Sequence, residues 1–198
     1  MKDHLRQLTA REPNALTGRR VAAEYLQARV LQSLQRNGVF LRWAFMGGTA
    51  LRFLYAMPRF SEDLDFSVIT PGVDADLAQA LANTTHMFVA EGYRTDVTLK
   101  AQKAVASAFV RFPGLLFDLG LSPRASQTLS IKVEVDTRPK AGAKTETTLI
   151  RRHVTLNMCH HDRGCCRSSA NPRGRTTVEG CRPERRANLT ACGHSGCA

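Results

Sequence analysis

From Arg19 to Arg36 the apolar residues Val21, Tyr25, Ala28, Leu31 and Leu34 recur at helical spacing, and Asn37-Gly38 supplies a stop, so this stretch reads as a helix. Val39 to Met46 reads as a strand that ends in the buried run Trp43-Ala44-Phe45-Met46. Thr49 to Ala56 predicts a short helix, and Leu64 to Ile69 a strand that Pro71-Gly72 breaks. A longer helix opens near Asp74 and continues through Leu77, Leu81 and Phe88 to Gly92. Strands follow at Tyr93 to Leu99, Val105 to Phe112, Leu129 to Val135 and Thr148 to Leu156. Alternation of this kind predicts one α/β domain with a mixed sheet that carries its ligand site at strand ends.

Two glycines, Gly47 and Gly48, stand between a predicted strand and a predicted helix, where they let the backbone turn and approach a ligand. Thr49 is placed to cap that helix, whose unpaired N–H groups and positive dipole end suit a phosphate. Asp63 and Asp65 are one residue apart, so on a strand both carboxylates share a face while Leu64 and Phe66 take the other. Two adjacent carboxylates repel unless a cation joins them, and hard oxygen ligands in this arrangement suit Mg²⁺ completed by substrate phosphates. A Gly-Gly pair alone is commonly only a turn, and Asp-x-Asp alone only a solvated strand end; the ordered combination is far more specific. In the strand Ile131-Lys132-Val133-Glu134-Val135-Asp136 the apolar residues share one face and Lys132, Glu134 and Asp136 the other.

The segments Gly47-Gly48-Thr49-Ala50-Leu51-Arg52 and Arg59-Phe60-Ser61-Glu62-Asp63-Leu64-Asp65-Phe66 resemble the nucleotidyltransferase superfamily signature, and within it the AbiEii family of toxin nucleotidyltransferases. The resemblance covers roughly residues 20 to 158. It implies a nucleotidyltransferase-like mixed β-sheet flanked by helices, with Asp63, Asp65 and Glu134 as catalytic, metal-binding carboxylates. Glu134 stands in an apolar-x-apolar-acid-apolar pattern similar to the family's third-carboxylate strand, where it either binds a second metal or draws a proton from the attacking hydroxyl. Its plainer reading is an acid on the outer face of an amphipathic edge strand, and Asp136 is the weaker candidate. Nucleotide contacts are expected from Gly47, Gly48, Thr49, Arg52 and Arg59, with Ser61 and Lys132 as further ligands. Arg52 and Arg59 each also read as ordinary surface arginines. The implied cofactor is Mg²⁺, and the implied partners are a nucleoside triphosphate, an RNA acceptor such as tRNA or a protein acceptor, and a cognate antitoxin protein of a bacterial toxin–antitoxin or phage-defence pair.

Composition narrows this in three ways. At 198 residues the chain is long enough for one core, and nothing demands a second domain. The net charge of +11 is spread without a basic block, which favours a polyanionic partner over a nucleic-acid-binding tail. No apolar run approaches the roughly 20 residues of a membrane span, and Met1 to Asn14 reads as neither signal nor transit peptide, so a cytoplasmic protein is expected.

Residues 159–198 break with all of this. They contain all six cysteines, Cys159, Cys165, Cys166, Cys181, Cys192 and Cys197, with no Lys and no aromatic residue, and cannot bury enough apolar surface to fold. The helical C-terminal part with a catalytic lysine and an Arg-Asp-x-x-Asp-like motif, which the resemblance implies, has no counterpart here. The expected division is therefore a nucleotidyltransferase core at 1–158 and an aberrant Cys/Arg-rich tail at 159–198. A shift of reading frame near His161-Asp162 accounts for the tail's Arg, Ala, Gly, Pro, Ser and Cys. A zinc module from Cys159, His160, His161, Cys165 and Cys166 is the rival, although the spacing matches no paired C-x₂-C pattern. Three functions remain open on sequence: an active nucleotidyltransferase, a catalytically dead remnant that binds antitoxin or nucleotide, and a basic RNA-binding protein whose carboxylates are incidental.

Overall fold

A computed structural model describes residues 2–71, 75–100, 105–138 and 143–161. Two helices lead the chain, α1 (Lys2–Ala10) and α2 (Ala15–Arg36). The Asn14 side chain caps α2 by accepting the Thr17 N–H at 2.9 Å, and Leu5 of α1 is fully buried. Next come β1 (Trp43–Met46), α3 (Gly47–Tyr55), β2 (Asp63–Val68), α4 (Leu77–Ala90), β3 (Asp96–Lys100), β4 (Val105–Phe112), a short α5 (Leu115–Asp118), β5 (Leu129–Asp136), β6 (Thr145–Arg152) and β7 (Val154–His161).

The strands form one seven-stranded mixed sheet in the order β3-β4-β5-β2-β1-β7-β6. β2 runs parallel to β5 and β1 parallel to β7, while the other neighbours are antiparallel. The alternation along β2 and β5 sorts their side chains by face: Leu64, Phe66, Val68, Ile131, Val133 and Val135 are buried on one. Phe66 is the centre of that face, its ring 5.1 Å from Phe45 directly across the β1–β2 ladder and 5.5 Å from Trp43. Helix α2 packs on β5, β7 and α4, and α4 covers β3 and β4, where Phe88, Tyr93 and Phe112 meet edge to face. The alternate residues, Asp63, Asp65, Lys132, Glu134 and Asp136, make the second, polar face.

Several boundaries differ from those the pattern suggests. Val39 to Met46 divides into a 3-10 turn, Val39–Leu41, and β1, which begins only at Trp43. The single strand expected from Thr148 to Leu156 is an antiparallel hairpin, β6 and β7, that turns at His153 with φ 57°. Strand β7 extends past residue 158, since Cys159, His160 and His161 belong to it and are buried. The expected helix start at Asp74, the Gly72 break and all of the tail from 162 lie outside the described residues.

Candidate active site

The turn from β1 into α3 is built around Gly47, whose φ of 78° is the left-handed conformation that glycine tolerates. A Cβ at this position would collide with Oδ2 of Asp65 and come within 3.0 Å of its Cγ. The Asp65 carboxylate is thus seated on the bare α-carbon of Gly47. Gly48 has a similar relation to Ser61, whose Oγ would lie 3.1 Å from an added Cβ. The Thr49 hydroxyl, fully buried, donates to the Asp63 carbonyl and so ties the first turn of α3 to the start of β2.

Parallel pairing of β2 with β5 places Asp65 opposite Glu134 and Asp63 opposite Lys132. The Lys132 ammonium donates to Glu134 Oε1 at 2.8 Å. Asp63, Asp65, Glu134 and Asp136 line one cleft of about 320 Å³ together with Met46 and Gly47. Burial, and then the negative charges of Asp63 and Glu134, push the Asp65 carboxyl up to about 6, with Lys132 offsetting part of the rise. Asp63 moves the same way, again chiefly by burial, while Lys132 opposes and Glu134 and Glu62 add to the rise. The hydrogen bond to Glu134 raises Lys132.

Residues 29–161 match the family model described as nucleotidyl transferase AbiEii toxin, type IV TA system. The chain belongs to the AbiEii family. Two solved structures resemble this AbiEii chain: a protein assigned as a nucleotidyltransferase from H. pylori, 21% identical with a TM-score of 0.42, and JHP933 from Helicobacter pylori, 20% identical with a TM-score of 0.42. The matches cover 68% and 70% of the chain but only 52% and 51% of those structures, so the AbiEii chain spans about half their length. No curated protein matches it. Among the described residues no helix is long and apolar enough to cross a membrane.

The AbiEii site brings Gly47, Gly48, Ser61, Asp63, Asp65, Lys132 and Glu134 together, and Asp136 joins their cleft. Arg52 is placed elsewhere. Its guanidinium pairs with the buried Glu24 and donates to the carbonyls of Met57, at 2.8 Å, and Pro58, at 3.1 Å, and it stacks 3.6 Å from the Phe60 ring. Every one of these contacts is internal, so Arg52 braces α3 and the loop after it instead of facing a phosphate. Thr49 is also withdrawn, since its hydroxyl is spent on Asp63; a phosphate at the head of α3 would meet backbone N–H groups. Arg59 is exposed and, with Ser61, lines a neighbouring larger cleft. That cleft also contains Arg19 and Arg20, which the sequence reading passed over because they sit in no motif; only their shared helical face with Leu16 and Ala23 could have signalled them.

Among the described residues no three His, Cys, Asp or Glu side chains already converge as a metal site. The donor chemistry nevertheless fits Mg²⁺. An Asp65 held above the usual carboxylate range by burial and then by its acidic neighbours is a group whose charged form a cation would favour, and Mg²⁺ takes one or two carboxylates with waters and phosphates for the rest. The zinc alternative is less well served: Cys159 and His160 lie in β7, where the His160 ring is bonded to Thr148, and Cys165 and Cys166 lie outside the described residues.

Proposed function

We propose that this AbiEii chain is the toxin of a type IV toxin–antitoxin pair and transfers a nucleotide from a nucleoside triphosphate to an RNA acceptor, with Mg²⁺, in the cytoplasm, under control of a cognate antitoxin. The observation that carries the reading is the shared face of Asp63, Asp65 and Glu134 beside the glycine turn that seats Asp65. Asp63 and Asp65 would hold the metal, which when bound neutralises triphosphate charge and stabilises the leaving pyrophosphate. The backbone N–H groups of Gly47 and Gly48, at the head of α3, bind the β- and γ-phosphates. Ser61, over Gly48, supplies a hydroxyl at the same place. Lys132 balances the carboxylates and stands ready to move from Glu134 to a phosphate oxygen. Glu134 accepts the proton of the attacking hydroxyl, a bond forms from that oxygen to the α-phosphorus, and the bridge to the β-phosphate breaks.

The test is to incubate the full chain with each α-labelled nucleoside triphosphate, Mg²⁺ and total bacterial RNA, beside Asp63→Ala. Transfer by the wild type that falls by about 10³-fold or more in the variant supports the reading. Nucleotide binding without transfer would make the chain a binding module, and RNA binding indifferent to Mg²⁺ and to Asp63 would make the carboxylates incidental.

A further inference from the structure

The larger cleft, about 750 Å³, lies next to the carboxylates but shares no lining residue with them. Arg19, Arg20 and Arg59 converge on it, with Glu62 as its acidic member. Most arginines with a role in this fold face a carboxylate: Arg29 meets Glu91, Arg52 and Arg152 meet Glu24, Arg94 meets Asp118 and Arg111 meets Asp96. Among the described residues Arg20 and Arg59 have no carboxylate partner, and Arg19 spends its Nε on the Leu121 carbonyl at 2.9 Å, which fixes the side chain without neutralising it. The Arg20 guanidinium lies 5.6 Å over the Phe60 ring, which holds it toward the cleft. Three unneutralised guanidinium groups round a concavity repel one another and concentrate an anion there.

The arginine cleft opens directly beside the carboxylates. Ser130 lines the arginine cleft, and Lys132 and Glu134 follow at alternate positions on the same face of β5, so the distance from Ser130 to Glu134 is about 13 Å along the strand. Beside it, Ser61 and Glu62 of the cleft run straight into Asp63 at the start of β2, the strand next to β5. A chain of linked phosphates that fills the arginine cleft therefore leads without a break to the carboxylates. Arginines with the hydroxyl and amide groups of Gln127, Thr128 and Ser130 are the chemistry of a groove that tracks a phosphodiester backbone.

We propose that Arg19, Arg20 and Arg59 bind the phosphodiester backbone of a single-stranded RNA whose terminal hydroxyl is presented to Asp63, Asp65 and Glu134. This rests on the nucleotidyl-transfer reading for the purpose of the terminus, but the binding itself can be measured alone. A fluorescently labelled single-stranded oligoribonucleotide is titrated with the full chain at several salt concentrations. The Arg20→Ala/Arg59→Ala double variant should bind about tenfold or more weakly and lose about 1.4 from the slope of log K against log salt, as two lost contacts at about 0.7 each dictate. Arg36→Ala/Arg151→Ala, which removes the same charge from exposed sites elsewhere, should bind like the wild type, and thermal melts should show both variants folded. Asp63→Asn should bind at least as tightly as the wild type.

Equal weakening in the two double variants, unchanged binding in Arg20→Ala/Arg59→Ala, or no RNA binding by the wild type would each overturn the proposal. Loss of triphosphate binding in place of RNA binding would also overturn it, assigning the cleft to the donor. Weakened RNA binding in a protein that transfers no nucleotide would leave the cleft standing and remove the catalytic reading instead.

Discussion

Asp65 and Gly47 act as one unit, and each sets a separate expectation. Gly47→Ala faces both an unfavourable φ and the Asp65 carboxylate, so it should lower stability by more than about 1 kcal/mol, measured by denaturant melts, and abolish transfer by displacing the acid. For Asp65 the sign follows from its position at about 6 against 3.8 in the unfolded chain: its contribution to stability is present below 3.8 and lost as pH rises through 6. Asp65→Asn should therefore raise Tm above pH 6 and leave it unchanged below pH 3.8. A pH series of thermal melts checks this, and a variant less stable than the wild type at pH 8 would refute it. Addition of Mg²⁺ should raise the wild-type Tm at pH 8 and have a much smaller effect on Asp65→Asn. At this scale the sequence was informative where chemistry and spacing coincide, as in Asp63, Asp65 and Glu134. It assigned Arg52 to the nucleotide or to the surface and gave no sign of its buried partner Glu24, which lies in a different helix and in no motif.

Glu24 joins three elements. From α2 it accepts from Arg52 of α3 and from Arg152 of β6 at 2.6 Å, and it lies 3.3 Å from His153 in the β6–β7 turn. Burial alone would raise its carboxyl, but the hydrogen bonds from His153, Arg52 and Arg152 outweigh this and hold it at about 2. Its stabilising effect is present above 4.5 and is lost as pH falls toward 2. Glu24→Gln should cost about 3–5 kcal/mol at neutral pH, because it strands two guanidinium groups; chemical denaturation would show it, and a loss below about 1 kcal/mol would mean those groups find water instead. The same hairpin explains the main misreading of the pattern. Its turn has no Gly, Pro or Asn, and His153 takes the left-handed conformation, so nothing in the sequence separates β6 from β7. Helix α1 was overlooked for a related reason: Leu5 and Thr9 are its buried residues, too few for a periodic signal. The strands β4 and β5, with strict alternation and a buried face, were legible almost to the residue.

At the scale of the molecule, the sheet order brings together pieces from the first and last parts of the described chain. β1 lies between β2 and β7, and β2 between β1 and β5. Family membership and a mixed sheet could be read in advance, but the order of strands could not, since parallel partners are distant in sequence and carry no local turn signal. The basic surface belongs to this scale too: with a net charge of +11, RNA affinity should fall steeply between about 50 and 200 mM salt, and a flat salt response would argue against a polyanionic substrate.

The parallel β2–β5 and β1–β7 pairings also fix when, during synthesis, the polar face can be completed. Asp65 meets Glu134 only after the chain through β5 has emerged, and β1, which ends at Met46, gains its second neighbour only with β7. A nascent chain short of that point has Asp63 and Asp65 on a strand paired with β1 alone. The polar face that carries Asp65 and Glu134 therefore comes together only as synthesis of the sheet ends.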